Sequence, residues 1–206
     1  MPQAPTQALL FDLGNVLIDV DFSRALQAWS AYSLLSFDDM RATFVQDLAY
    51  QQHETGDLCA RDYFASLRAS LKLTASDQQI EDGWNAMLLG EIAQTVDAIR
   101  KARARFPCYV FTNTNPTHQK VWQTRHATLL TAFERVFVSS EMGLRKPHRA
   151  AFDYVAHAMG VAAASILFFD DLPENVAAAR DAGFQAVHVR SPADVQTVLR
   201  GLGCAV

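Results

Sequence analysis

Three apolar runs in this chain end in polar groups that could share a reaction. Asp12 follows Ala8 to Phe11, Thr112 and Asn113 follow Tyr109 to Phe111, and the adjacent acids Asp170 and Asp171 follow Ile166 to Phe169. Lys146 stands just before Pro147, near a helical pattern. In an open parallel sheet ligands bind outside the carboxyl ends of the strands, so these groups would meet at one rim. Carboxylates forced together repel unless a proton or a cation compensates. Mg²⁺, which favours one or two carboxylates with waters and a substrate phosphate, is the natural compensator. Each residue also has a plain reading: Asp12 as a cap or turn residue, Thr112 as an ST-turn, with Thr114 an equal candidate, and Lys146 as a solvated side chain. What distinguishes the set is its order along the chain at one predicted edge.

The elements that must position them follow from periodicity. Ala8 to Phe11, Tyr109 to Phe111, Val136 to Val138 and Ile166 to Phe169 are continuous apolar runs, the mark of buried parallel strands. Ala186 to Val189 is a fifth, interrupted by His188, which reads as a satisfied core residue. Phe152, Val155, Ala156 and Met159 follow helical spacing, with Pro147 suited to a first turn and Gly160 to a C-cap. Pro173 and Gly183 bracket a second helix in the same way. Strand alternating with helix predicts an α/β protein whose parallel sheet has helices on both faces. From Phe22 to Leu89 no strand is evident, and stripes such as Phe22, Leu26, Trp29 and Phe64, Leu67, Leu71 predict a helical insertion after the first strand. No repeat is visible.

Composition bounds the partners. The 206 residues are 50% hydrophobic and 19% charged, with net charge −4, so the basic excess of a nucleic-acid binder is missing. Cys59, Cys108 and Cys204 are odd in number and form no CxxC, which points away from a disulfide framework or zinc site and toward a reducing compartment. The N-terminus lacks the basic region of a signal peptide, and Ala158 to Phe169 is too short to span a membrane. The expectation is a cytoplasmic protein with no membrane and no nucleic-acid partner, monomeric or weakly dimeric.

FDLGNVL at 11–17, FTN at 111–113, GLRKP at 143–147 and FFDD at 168–171 resemble the four ordered motifs of the haloacid dehalogenase superfamily, and the match spans the chain. Within it, FDLGNVLIDVDF, RKP and FFDD look most like the bacterial sugar-1-phosphate phosphatases, α-D-glucose-1-phosphate phosphatase among them. The resemblance implies a Rossmann-like core at 1–18 and 90–206 and a helical cap at 19–89. It implies Mg²⁺ as cofactor, a small phosphorylated metabolite as substrate, and the cap as a lid. Asp12 would be the nucleophile forming an aspartyl-phosphate. Thr112 and the backbone amide of Asn113 would bind phosphoryl oxygens, and Lys146 would neutralise charge. The metal would sit between Asp12, the carbonyl of Gly14 and Asp171, with Asp170 ligating or orienting a water. A glycine at 14 would let that carbonyl approach closely.

The chain departs from the superfamily at one place. Most of its phosphatases carry a second Asp two residues after the nucleophile as general acid and base, whereas here that residue is Gly14. General acid or base help is worth about 10²- to 10⁴-fold. Sugar 1-phosphates suit the loss, because an anomeric hydroxyl is the better leaving group. Asp19, Asp21, His53 and Glu54 are the candidates to replace the acid. Two further readings share the same nucleophile or its remnant: a haloacid dehalogenase, which has little use for the acidic pair, and a weakened phosphate-binding or phosphotransfer protein.

Overall fold

A computed structural model describes residues 4–206. Its seven strands are β1 Ala8–Phe11, β2 Ile18–Val20, β3 Leu88–Glu91, β4 Cys108–Thr112, β5 Arg135–Val138, β6 Ile166–Asp170 and β7 Gln185–His188. Between β2 and β3 lie α1 Phe22–Ser30, α2 Phe37–Thr43, α3 Leu48–Thr55, α4 Ala60–Leu71 and α5 Asp77–Asn85. After β3 come α6 Ala93–Ala102, α7 Pro116–Arg125, α8 Ala127–Leu130, α9 Ser139–Met142, α10 Arg149–Met159, α11 Pro173–Asp181 and α12 Pro192–Gly201. No helix among the described residues is long and apolar enough to cross a membrane.

Five strands form one parallel sheet in the order β5-β4-β1-β6-β7, a Rossmann-like arrangement. Strand order runs one way from β1 through β4 to β5 and the other way through β6 to β7, so the switch point falls beside β1, where such sheets open a crevice. Because side chains alternate, Leu9 and Phe11 enter one core with Ile99 of α6 and Val195 and Leu199 of α12. Leu10 enters the other, with Phe152 of α10 and Ala179 of α11. Both faces are therefore covered, as the continuous apolar runs predict. His188 Nε2 donates to the Asp171 carbonyl at 2.9 Å and is half-buried, so it is satisfied without being core.

The insertion is helical, but strands bracket it. Val20 and Ile18 of β2 pair antiparallel with Leu88 and Glu91 of β3, so the stretch read as strand-free ends in a strand at Leu88. Both strands are partly exposed and broken by Asp19, Gly90 and Glu91, so neither reads as an unbroken apolar run. Inside the insertion Trp29 stacks on Trp84 at 5.7 Å and donates to the Ile80 carbonyl at 3.1 Å. Gly83 makes this possible, since a Cβ there would lie 2.3 Å from the Trp29 Nε1. Pro147 also differs from its expected place. It follows a cis peptide from Lys146, and α10 starts two residues later behind His148.

Candidate active site

The register of the sheet brings the marked groups together. Phe11 pairs with Val110 on one side and Phe169 on the other, so Asp12 leaves β1 level with the ends of β4 and β6, and its N–H donates to the Phe169 carbonyl at 2.8 Å. Asp12, Asp170 and Asp171 each offer an oxygen within 4.8 Å of the others. Lys146 Nζ donates to Asp12 Oδ1 at 2.8 Å, to Asp170 Oδ2 at 2.7 Å and to the Phe111 carbonyl at 2.9 Å. Its side chain is 1% exposed, so all three N–H bonds of a buried ammonium are used.

Asp170 is fully buried and also committed. Oδ1 accepts from the Leu172 N–H at 2.9 Å and the Asn175 amide at 3.0 Å, and Oδ2 accepts from Asn175 at 3.2 Å besides Lys146. Asp12 uses only Oδ1, and among the described residues its Oδ2 meets no protein donor. Asp171 is held from β1's loop by Asn15 Nδ2 at 3.2 Å. Burial lifts the Asp12 carboxyl to about 7, with Lys146 opposing and Asp170 and Asp171 adding to the rise. Burial also raises Asp171, reinforced by Asp170. For Lys146 burial acts downward, but Asp12 and Asp170 outweigh it and its pKa stands above the ordinary value. Three carboxylates face one ammonium, so this floor lacks positive charge.

Around this floor the remaining predicted residues take distinct places. Thr112 is buried and lines the cleft, and its hydroxyl has only a 3.5 Å contact with the Asn113 carbonyl. Thr114, the equal candidate, has its hydroxyl on Trp122 Nε1 and its N–H on Ser139 Oγ. The Asn113 side chain clamps the Lys146 backbone, donating to its carbonyl at 2.8 Å and accepting from its N–H at 2.9 Å. Gly14 lines the cleft with a backbone outside the left-handed region; Asn15 beside it is the left-handed residue, at φ 54°. The close turn therefore depends on Asn15 and not on a glycine at 14.

Of the four candidate replacement acids, only Glu54 lines this cleft. Asp19 is exposed, Asp21 caps α1 through Ser23, and His53 bonds the Leu58 carbonyl and stacks on Tyr63. Sequence reasoning gave no role to Arg145, Asn175, Asn15 or Ser139. Arg145 Nε and Nη2 both reach Glu54 Oε2 at 2.9 Å. These residues sit inside or beside the four motifs, but holding another residue by a side-chain hydrogen bond leaves no periodic trace.

A haloacid dehalogenase-like hydrolase family model matches residues 6–183. The chain is similar to D-ribitol-5-phosphate phosphatase of Bacteroides thetaiotaomicron, 23% identical over 191 residues that cover 90% of this chain and 93% of the relative. It is 25% identical to a sesquiterpene phosphatase of Aspergillus oryzae over 203 residues, covering 96% of this chain and 97% of the relative. A crystal structure of a HAD family enzyme from Bacteroides thetaiotaomicron in a magnesium complex aligns with TM-score 0.78 and 26% identity, over 90% of this chain and 94% of that one.

Proposed function

On the premise that the chain belongs to the haloacid dehalogenase-like hydrolases, we propose that it is a magnesium-dependent phosphatase of small phosphorylated metabolites. Sugar and polyol phosphates, glucose 1-phosphate among them, are the substrate class. The observation that carries this reading is the buried Lys146 joining Asp12 to Asp170 beside Asp171, in a cleft with Thr112. An all-oxygen donor set with two negative charges in excess suits a hard divalent cation. Mg²⁺ would be held by Asp12, the Gly14 carbonyl and Asp171, with Asp170 adjoining, and when bound it offsets charge on the phosphoryl group.

Asp12 attacks phosphorus through its free Oδ2 while Oδ1 stays on Lys146, giving an aspartyl-phosphate that water then opens. Lys146 works as a fixed charge: with every N–H bond used, it stabilises the transferring group without giving up a proton. Thr112 and the Asn113 amide bind phosphoryl oxygens. Asn113 and Asn175 hold Lys146 and Asp170 in place. Across the cleft, Glu54 and Arg145 present charged hydrogen-bonding groups, which supports a hydroxyl-bearing leaving group of the kind named for the ribitol phosphate relative. On this reading the protein works in the cytoplasm on diffusible metabolites, as a monomer or weak homodimer.

The test is phosphate release from sugar 1-phosphates, polyol phosphates, a prenyl phosphate and p-nitrophenyl phosphate, with Mg²⁺ and with EDTA. Release that needs Mg²⁺ and is lost in Asp12→Asn is expected. Halide release from a 2-haloacid, or phosphate binding without release, would replace this reading by the dehalogenase or the phosphate-binding one.

A further inference from the structure

Two residues after Asp12 stands Gly14, which can carry no proton, yet the same cleft holds an acid that the insertion contributes. Glu54 closes α3 and is fixed there by the core. Ser139 Oγ donates to the Glu54 carbonyl at 2.6 Å. Two residues on, Gly56 has φ +80° and lies so close to α9 that a Cβ would meet the Ser140 carbonyl oxygen at 2.6 Å. Both Arg145 donors go to Oε2, so Oε1 is left without an Arg145 partner. The groups facing this carboxyl are Arg145 and Lys146 from the core, Tyr50 from its own helix and Tyr63 from α4. Burial lifts the Glu54 carboxyl above its usual value, with Arg145 the main opposing influence.

We propose that Glu54 is the proton carrier of this reaction, supplying from the insertion the acid that position 14 lacks. The proposal rests on the phosphatase reading above. In the first step Asp12 bonds to phosphorus, the bond from phosphorus to the leaving oxygen breaks, and that oxygen takes the Glu54 proton. In the second, the Glu54 carboxylate takes a proton from water, the water oxygen bonds to phosphorus, and the bond to Asp12 breaks. Phosphate leaves, and both carboxyl groups return to their starting state. Arg145, anchored on Oε2, and the Tyr50 hydroxyl orient the carboxyl, and Oε1, which Arg145 does not touch, is the oxygen for the exchange.

The decisive variant is Glu54→Gln, which keeps size and an acceptor for Arg145 but carries no exchangeable acid proton. With p-nitrophenyl phosphate, whose alcohol leaves as its anion, a burst of about one nitrophenolate per enzyme is expected. Steady-state turnover should then be slower than wild type by about 10²- to 10⁴-fold. With a polyol phosphate the burst should vanish, because an alkoxide must be protonated to leave. Glu54→Asp, an acid on a shorter arm, should fall between Glu54→Gln and wild type. Adding Gly14→Asp to Glu54→Gln should restore turnover; a Cβ at 14 meets only Val20 Cγ2, at 3.4 Å, so the side chain fits. Wild-type turnover in Glu54→Gln would overturn the proposal, as would equal slowing of burst and steady state, the signature of a misplaced cap wall. If the wild-type protein itself releases no phosphate from any substrate, the phosphatase reading fails first, and Glu54 with it.

Discussion

The two walls of the cleft are built on different principles. The floor comes from the ends of three neighbouring strands, and its central charges are tied together: Lys146 spends three donors, and Asp170 accepts on both oxygens. The other wall comes from the insertion and its bracketing strands, Phe22, Tyr50, Glu54 and Leu88 among its residues, and its one carboxyl, Glu54, is held by the Arg145 guanidinium on Oε2 and by the Tyr50 hydroxyl. A saturated network fixes positions but has no capacity left for exchange. A partly free carboxyl has that capacity and depends on the docking of a separate layer. On the proposed reaction, the groups that must stay put for phosphoryl transfer lie at the sheet rim, and the group that moves a proton comes from the insertion.

Variants separate the two walls. The largest effect belongs to Asp12→Asn, which removes the proposed nucleophile and should cut turnover by about four orders of magnitude or more, read by phosphate release. Lys146→Met comes next: it removes the fixed charge and should slow turnover by about 10²- to 10³-fold. It also strips the buried Asp170 of its counter-charge, which should cost about 3 kcal/mol in a urea unfolding series. If Lys146→Met proved as stable as wild type, the claim that the floor is a mutually dependent charge network would fall.

Smaller effects are expected on the insertion side. Gly56→Ala forces a Cβ toward the Ser140 carbonyl at a left-handed backbone position, at a cost of about 1–3 kcal/mol. Because Glu54 lies two residues away on the same helix end, the variant's turnover number should fall more than its KM rises, since the floor is untouched. A turnover number equal to that of the wild type would mean that the wall takes no part in the chemistry. The smallest effect at neutral pH belongs to His118, where α7 meets the insertion. Its Nε2 lies 3.2 Å from the Trp84 carbonyl, and burial drives its pKa from 6.5 to about 3. Between those values the unfolded chain takes up a proton that the folded chain refuses. Its contribution is therefore complete above pH 6.5 and shrinks as pH falls toward 3. Acid unfolding of His118→Gln should be flatter over that window than that of the wild type, when both are followed by circular dichroism.

The same division governs how much the sequence reveals. The sheet and its rim residues are legible because a strand buried on both faces reads as a short unbroken apolar run, and the next residue in line must face the crevice. Asp12, Thr112 and the Asp170–Asp171 pair come from that rule alone. The insertion obeys no such rule. Helical spacing marks which residues are buried in it, such as Trp29 and Leu67, but not which helix end points at the core, so Glu54 stands level with Asp19, Asp21 and His53 until the fold is known. The β2–β3 ribbon escapes because its strands are half-exposed and interrupted by Asp19, Gly90 and Glu91, so they show no unbroken apolar run. Asn15, Asn175 and Arg145 escape because their work is to hold other residues, which depends on distances across the fold.

That ribbon has a consequence for how such a molecule changes over time. The chain leaves the sheet layer along β2 and comes back along β3, and the two are hydrogen-bonded side by side, with Ile18 opposite Glu91. Everything between them hangs from adjacent points, like a pendant from a closed clasp. Its length and internal fold can be rewritten without altering the strand order beneath. On the proposed function, the part that would meet the leaving group can thus be exchanged while the part that would meet phosphorus keeps its strand order.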